Sequence, residues 1–325
     1  MDMVKTAIAL IFLVVGLAIG IFIGKYTIPK RTDAVSQEVR LGENNFTNPL
    51  LECEFNSAVG EIEYWPSKKS ITSFIYEELN KKNVTHASVY YRDLNNGPWF
   101  GINELENFSP ASLLKLPVLM AYLKQAETNP DMLKKKLIYK KVPALIEQSY
   151  TPENPLIEGK EYSIEELIEQ MIIYSDNNAL FLLEKNISNE AIDNITQDLG
   201  IETATDTTPE DYMSVKSYAS LFRVLFNASY LNKNMSERAL AILVKVVFNK
   251  GIVSGLPKSL AVAHKFGERE LPNGIKQLHD CGIVYLPKHP YLLCIMTRGT
   301  DYDRLSTVIS TISKKIYEDL MTRYK

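Results

Sequence analysis

The sequence predicts an α+β fold: one antiparallel sheet drawn from early and late strands, a helical block inserted between them, and a transmembrane helix ahead of both. Three observations carry this. Residues 6–24, TAIALIFLVVGLAIGIFIG, hold no charge and, at about 1.5 Å rise per residue, nearly cross a ~30 Å hydrocarbon layer. Two strand-like segments lie between residues 87 and 102, and three more between residues 260 and 299; their apolar, β-branched and aromatic runs are bounded by turn residues. The stretch between the two groups has helical spacing, and this order lets the terminal strands complete one sheet with the helices alongside.

Residues 1–24 form the expected membrane anchor. No small-x-small cleavage site follows, so the segment is expected to stay uncleaved. Gly16, Gly20 and Gly24 recur every fourth residue, a spacing that permits close helix approach. Lys5 precedes the segment while Lys25, Lys30 and Arg31 follow it, which leans towards an inward C-terminus. Residues 25–66 are mostly polar and read as a linker and lead-in. The body spans residues 67–325.

In the body, SITSFIYEELNKK has helical spacing through Ile71, Phe74, Ile75 and Leu79. ASVYYRDL and PWFGI flank the turn residues NNG and read as paired strands. The apolar helix after Ser112 follows. A second helical block opens at Ser163, with Glu166 at capping-box spacing, and ends in YSDNNALFLLEK. Further helices are expected over residues 189–199, 214–227 and 236–248. LAVAHKFG reads as a strand, and CGIVYL with YLLCIMTRG as a hairpin around PKHP. The closing DRLSTVISTISKKIYEDL is an amphipathic helix.

The chain has 325 residues, 46% hydrophobic and 23% charged, with net charge −3. This is a globular balance, and nothing in it suggests a nucleic-acid partner. Lys134–Lys136 with Lys140 and Lys141 reads as a solvated face. The three cysteines and four histidines show no metal-ligand spacing. Cys281 and Cys294 fall on expected neighbouring strands; a bridge between them is conceivable, and small apolar fillers are the expected role.

Ser112 and Lys115 carry the chemistry. Residues at i and i+3 share a helix face, so the Lys115 amine can reach the Ser112 hydroxyl. Serine needs a nearby base, and a lysine among Leu113, Leu116 and Leu119 is desolvated, which favours its neutral form. The structural alternative has Lys115 snorkelling to solvent and Ser112 capping. Ser175-Asp176-Asn177, alone, is an ordinary N-cap; Lys265 in AHKFGE, alone, is a charge on a strand.

Taken together and in this order, Ser112-x-x-Lys115, Ser175-Asp176-Asn177 and Lys265-Phe266-Gly267 resemble the Ser-x-x-Lys, Ser-Asp-Asn and Lys-Thr-Gly signatures of class A β-lactamase-like serine hydrolases, a branch of the penicillin-recognising enzymes. The resemblance spans residues 67–325 and implies a β-lactamase/transpeptidase-like fold that needs no metal or cofactor. It implies Ser112 as nucleophile, Lys115 as base or relay, and Ser175 as the bridge that protonates the leaving nitrogen. Asn177 would hold the substrate's acyl-amide side chain, and Lys265 would supply positive charge. Gly267 would let substrate lie against the strand. The backbone N–H groups of Ser112 and Glu268 would form the oxyanion hole.

Three departures qualify the resemblance. Phe266 stands where the family has a hydroxyl residue that grips the substrate carboxylate. The family's water-activating Glu-x-x-Leu-Asn is missing; Glu210 in PEDYMS is the nearest candidate for that role, but an exposed loop carboxylate is the expected reading of it. No arginine lies near Cys281, and Arg269 or Arg298 are the candidates to replace the family's carboxylate-binding arginine. The expected function is acyl-enzyme hydrolysis of β-lactams. The alternatives are a D-alanyl-D-alanine peptidase acting on peptidoglycan peptides, or a non-catalytic envelope sensor. The partners implied are a small-molecule or peptide substrate and the membrane. The body is expected outside the cytoplasmic membrane, where such substrates lie.

Overall fold

A computed structural model describes residues 38–40, 42, 44–53, 65–95, 97–141, 149–150, 154–202, 205 and 207–324. The expected membrane helix at residues 6–24 lies outside them. Among the described residues no helix is long and apolar enough to cross a membrane.

The first described elements are a small antiparallel pair, β1 (Glu38–Arg40) and β2 (Leu50–Cys53). Helix α1 (Trp65–Asn80) and the antiparallel strands β3 (His86–Asp93) and β4 (Trp99–Ile102) follow. After β5 (Asn107–Phe108) a 3-10 turn, Ala111–Leu114, runs directly into α2 (Lys115–Ala126). Strands β6 (Lys136–Ile138) and β7 (Glu161–Ser163) pair with each other. They precede α3 (Ile164–Ile173), α4 (Asn177–Glu184) and α5 (Asn189–Asp198). Strand β8 (Met213–Ser214) pairs with β5 and leads into α6 (Val215–Phe226) and α7 (Lys233–Leu243). The long strands β9 (Val262–Glu270), β10 (Lys276–Val284) and β11 (Tyr291–Gly299) precede α8 (Tyr302–Arg323).

The main sheet has the order β4-β3-β11-β10-β9, every neighbour antiparallel. Early and late strands therefore share one sheet, as the sequence pattern predicts. Period-two alternation divides the sheet between two cores. Ala87, Val89, Tyr91, Leu293 and Ile295 pack with Ile309 and Ile312 of α8 and Ile71 of α1. Tyr90, Cys281, Cys294 and Met296 pack instead with α2 and α6. Nearly all of α2 is buried, and each fully buried leucine there contributes about 1.5–3 kcal/mol. At the start of α3 both halves of the Ser163/Glu166 capping box form, which satisfies two otherwise unpaired N–H groups.

Three features differ from the sequence reading. Cys281 and Cys294 are directly opposed on β10 and β11 and form a disulfide, where small apolar fillers were expected. Strand β10 begins at Lys276 rather than Cys281, because the added residues Gln277, His279 and Asp280 are polar yet buried and hide the strand's period. Part of the expected linker is docked: the backbone N–H groups of Phe46 and Thr47 donate to Glu237 at 2.8 and 2.9 Å, and Tyr285 Oη donates to the Phe46 carbonyl at 3.1 Å.

Candidate active site

The site forms where β9, the edge strand of the main sheet, meets the 3-10 turn that carries Ser112. Ala111, just before Ser112, has φ +48°. An L-residue pays roughly 1–2 kcal/mol there, so the turn must be held from outside. Tyr218 Oη donates to the Leu113 carbonyl at 3.0 Å. On the approach to the turn, Ser109 N–H donates to Gln277 Oε1 at 3.0 Å, and His279 Nε2 donates to the Ser109 carbonyl at 2.9 Å. Thr297 N–H donates to His279 Nδ1 at 3.3 Å, which assigns the ring's proton to Nε2. Burial pushes His279 down to about 4, so it stays neutral near pH 7. Gln277 is fixed in turn, its Nε2 donating to Asp211 Oδ1 at 2.7 Å.

Gly267 brings β9 close to this turn. A Cβ there would lie 3.0 Å from both the Pro110 carbonyl oxygen and Leu113 Cγ. A side chain there would press on the turn, which would have to give by a few tenths of an ångström, so the glycine eases strand-to-turn packing, a reason beyond substrate access.

Lys115 is the first residue of α2 and is 0% exposed. The snorkelling alternative is excluded by that burial. Its Nζ lies 2.9 Å from Ser112 Oγ, and donates to Ser175 Oγ at 3.0 Å, to the Ser175 carbonyl at 2.5 Å and to Asn177 Oδ1 at 2.7 Å. Lys265, also fully buried, reaches Ser175 Oγ at 3.0 Å from the other side and donates to the Phe266 carbonyl at 2.8 Å. Ser175 Oγ therefore bridges two lysines. It can do so because Ser175 takes φ +57° between α3 and α4, while Asp176 caps α4 by accepting from Asn178 N–H at 2.7 Å. Desolvation lowers Lys115 to about 7, against the pull of Asp176, Glu268 and Glu184. Desolvation, then the neighbouring Lys115 charge, pushes Lys265 well below its ordinary value. Both amines are driven towards the neutral form, which has a lone pair to accept a proton.

The other predicted residues are placed differently. Phe266 is 3% exposed and its ring stacks on Phe248 at 4.0 Å, so it is packed into the second core rather than presented to a ligand. Glu268 accepts from Tyr150 N–H at 3.0 Å. Glu210 does not join the lysine cluster. Its side chain is 46% exposed and accepts from Arg269 Nε at 2.7 Å and Ser109 Oγ at 3.1 Å. Arg298 donates to Asp211 Oδ2 at 2.8 Å. Both arginines considered for carboxylate binding are thus held by protein carboxylates. The sequence reading missed Gln277, His279, Asp211 and Tyr218; Gln277, His279 and Tyr218 signal only as polar groups within strand or helix segments, and Asp211, in the polar stretch DTTPEDYMS, carries no signal of its own. Among the described residues, no group of three His, Cys, Asp or Glu side chains is arranged to hold a metal.

Residues 67–320 match the model of the β-lactamase enzyme family. The chain belongs to that family. Membership makes a β-lactam hydrolase or penicillin-interacting enzyme its functional class. Solved structures share the fold of this β-lactamase-family chain. A point mutant of PBP-A, solved as an acyl-enzyme complex with penicillin G, is 24% identical, with a TM-score of 0.66 over 79% of this chain and 97% of that one. The TLA-3 extended-spectrum β-lactamase is 21% identical, with a TM-score of 0.67 over 78% and 98%. A β-lactamase from Chitinophaga pinensis is 20% identical, with a TM-score of 0.67 over 78% and 99%. Among curated protein sequences none matches significantly.

Proposed function

We propose that this chain is a serine hydrolase that forms an acyl-enzyme with β-lactams through Ser112 and releases the acyl group slowly. The observation that carries the reading is the contact line Ser112 Oγ–Lys115 Nζ–Ser175 Oγ–Lys265 Nζ, with spacings of 2.9, 3.0 and 3.0 Å. Neutral Lys115 takes the hydroxyl proton as Ser112 Oγ bonds to the carbonyl carbon. The backbone N–H groups of Ser112 and Glu268 receive the oxyanion, whose charge appears only at that stage. As the C–N bond breaks, Ser175 gives its proton to the leaving nitrogen and recovers one from Lys115. Lys265 orients Ser175. Asn177, held by Lys115, sides with the substrate's amide. PBP-A, whose mutant was captured as a penicillin G acyl-enzyme, supports the reading by fold and by its printed chemistry.

Because Lys115 must be neutral to act as base, acylation should rise with pH and level off above its pKa of about 7. The check is the rate of labelling by a fluorescent penicillin across about pH 5 to 9. A flat profile would remove Lys115 from the base role.

Release is where Glu210 decides. Hydrolysing the ester needs a base on a water beside Ser112, and Glu210 is engaged by Arg269 and Ser109 instead. Label should therefore persist after free penicillin is removed, and Glu210→Gln should leave its lifetime unchanged. Rapid loss that Glu210→Gln slows would restore Glu210 as the deacylating base. The same placement favours a second reading, a peptidase acting on peptidoglycan peptides.

We also place the body outside the cytoplasmic membrane behind a single anchor at residues 1–24. Both substrate classes lie there, and a long downstream domain can override flanking charge. Protease added to intact cells should cut the body. Protection until lysis would contradict this placement.

A further inference from the structure

The nucleophile and its base are held by different parts of the molecule. Lys115 is fixed from the helical block by Ser175 and Asn177. The approach to Ser112 is fixed from the sheet. Gln277 and His279 stand two apart on β10, so they project from one face. Between them they take both polar groups of the Ser109 backbone. Gln277 Oε1 accepts its N–H at 3.0 Å, and His279 Nε2 donates to its carbonyl at 2.9 Å. Two side chains thus serve Ser109 as a neighbouring strand would. Neither can be turned over. The other end of the Gln277 amide meets Asp211 Oδ1 at 2.7 Å, and a carboxylate only accepts. Nε2 must therefore face Asp211, which leaves Oε1 for Ser109. Thr297 N–H only donates, so His279 Nδ1 accepts it and Nε2 carries the proton. Asp211 is held in turn by Arg298, 2.8 Å from its Oδ2, and the same guanidinium donates to the Asn107 carbonyl at 2.9 Å.

The link from Ser109 to Ser112 is short and stiff. Pro110 has φ −67°, where its ring confines it. Ala111 sits at φ +48°, and Leu113 N–H closes the turn on the Pro110 carbonyl at 2.9 Å. A displaced Ser109 backbone has few torsions left to absorb the shift. The shift therefore reaches Ser112 Oγ and moves it against a Lys115 Nζ that is anchored elsewhere. Proton transfer depends on their 2.9 Å spacing, and a misplacement of about 1 Å costs on the order of 100-fold in rate.

We propose that Gln277 and His279, with Asp211 setting the Gln277 amide, are positioning residues that align Ser112 with its base. The proposal rests on the acyl-transfer reading of Ser112. It gives a part in the rate to Asp211, whose side chain is 32% exposed and whose hydrogen bonds go to Gln277 and Arg298 rather than to Ser112 or Lys115.

The test labels the full-length chain in detergent with a fluorescent penicillin over a range of concentrations. This separates the maximal acylation rate, the half-saturating concentration and the final labelled fraction. Asp211→Ala frees the Gln277 amide to turn its Nε2 onto the Ser109 N–H, donor against donor. That variant should lose at least about tenfold in maximal rate, with half-saturation and labelled fraction within about twofold of wild type. Gln277→Met should behave alike. His279→Gln, which keeps a donor for the Ser109 carbonyl, should acylate faster than His279→Leu. The rate is read only from chains that fold and label, so a partly folded variant still reports it. A merely structural role would lower the labelled fraction and the melting temperature and leave the maximal rate unchanged. That outcome, or a change confined to half-saturation, overturns the proposal and leaves the acyl-transfer reading standing. If the wild-type chain is not acylated at Ser112, both fall.

Discussion

Replacing Lys115 with methionine is expected to slow acylation of Ser112 by about 10²–10⁴-fold, the usual contribution of a positioned general base. Methionine fills a similar volume and keeps the apolar contacts of α2, but it cannot take the Ser112 proton or hold Ser175 Oγ and Asn177 Oδ1. The fold should survive, since a fully buried amine is exchanged for a group with little desolvation cost. The two effects separate in one pair of measurements: labelling rate with fluorescent penicillin, and thermal unfolding. A rate near wild type in a folded variant would show that another group activates Ser112.

The largest expected loss of stability lies behind the site, at Asp280. Its Oδ1 pairs with His264 Nδ1 at 2.9 Å and its Oδ2 accepts from Ile252 N–H at 2.8 Å, all inside the core. Gly251 leaves the space for it, since a Cβ there would overlap the Asp280 carboxylate. Ser313 of α8 donates to the Ile252 carbonyl at 2.9 Å, so one carboxylate links β9, β10 and the 3-10 turn Ile252–Gly255 to the closing helix. Asp280→Ala strands two buried polar groups, each costing about 1–3 kcal/mol, for a total of about 3 kcal/mol or more. Chemical denaturation measures it. A loss below about 1 kcal/mol would mean that the pair is structurally idle.

The parts of this molecule that were legible in its sequence are those set by local spacing. Ser112 and Lys115 lie three residues apart, and the structure brings their side chains to 2.9 Å. The Ser163/Glu166 capping box formed for the same reason. The order of strands and helices was legible because apolar periodicity marks each element. What escaped depends on register and on distant partners. The opposition of Cys281 and Cys294 follows from the pairing of β10 with β11, which spacing alone does not specify. Phe266 was expected beside a ligand, but strand alternation turns it onto Phe248. Glu210 was a lesser candidate for the deacylating base, and the exposed loop position was the expected one; what the sequence does not show is that Arg269, remote in sequence, holds it by an ion pair. Gln277, His279 and Asp280 were unreadable as strand residues because each is buried through a hydrogen bond rather than through apolarity.

The central claim is that Ser112 is an activated nucleophile. The most direct test exposes the full-length chain to penicillin, digests it and locates the adduct by mass spectrometry. The account predicts one penicilloyl group on Ser112, absent from Ser112→Ala. An adduct on another residue, or none on a folded chain, would contradict it.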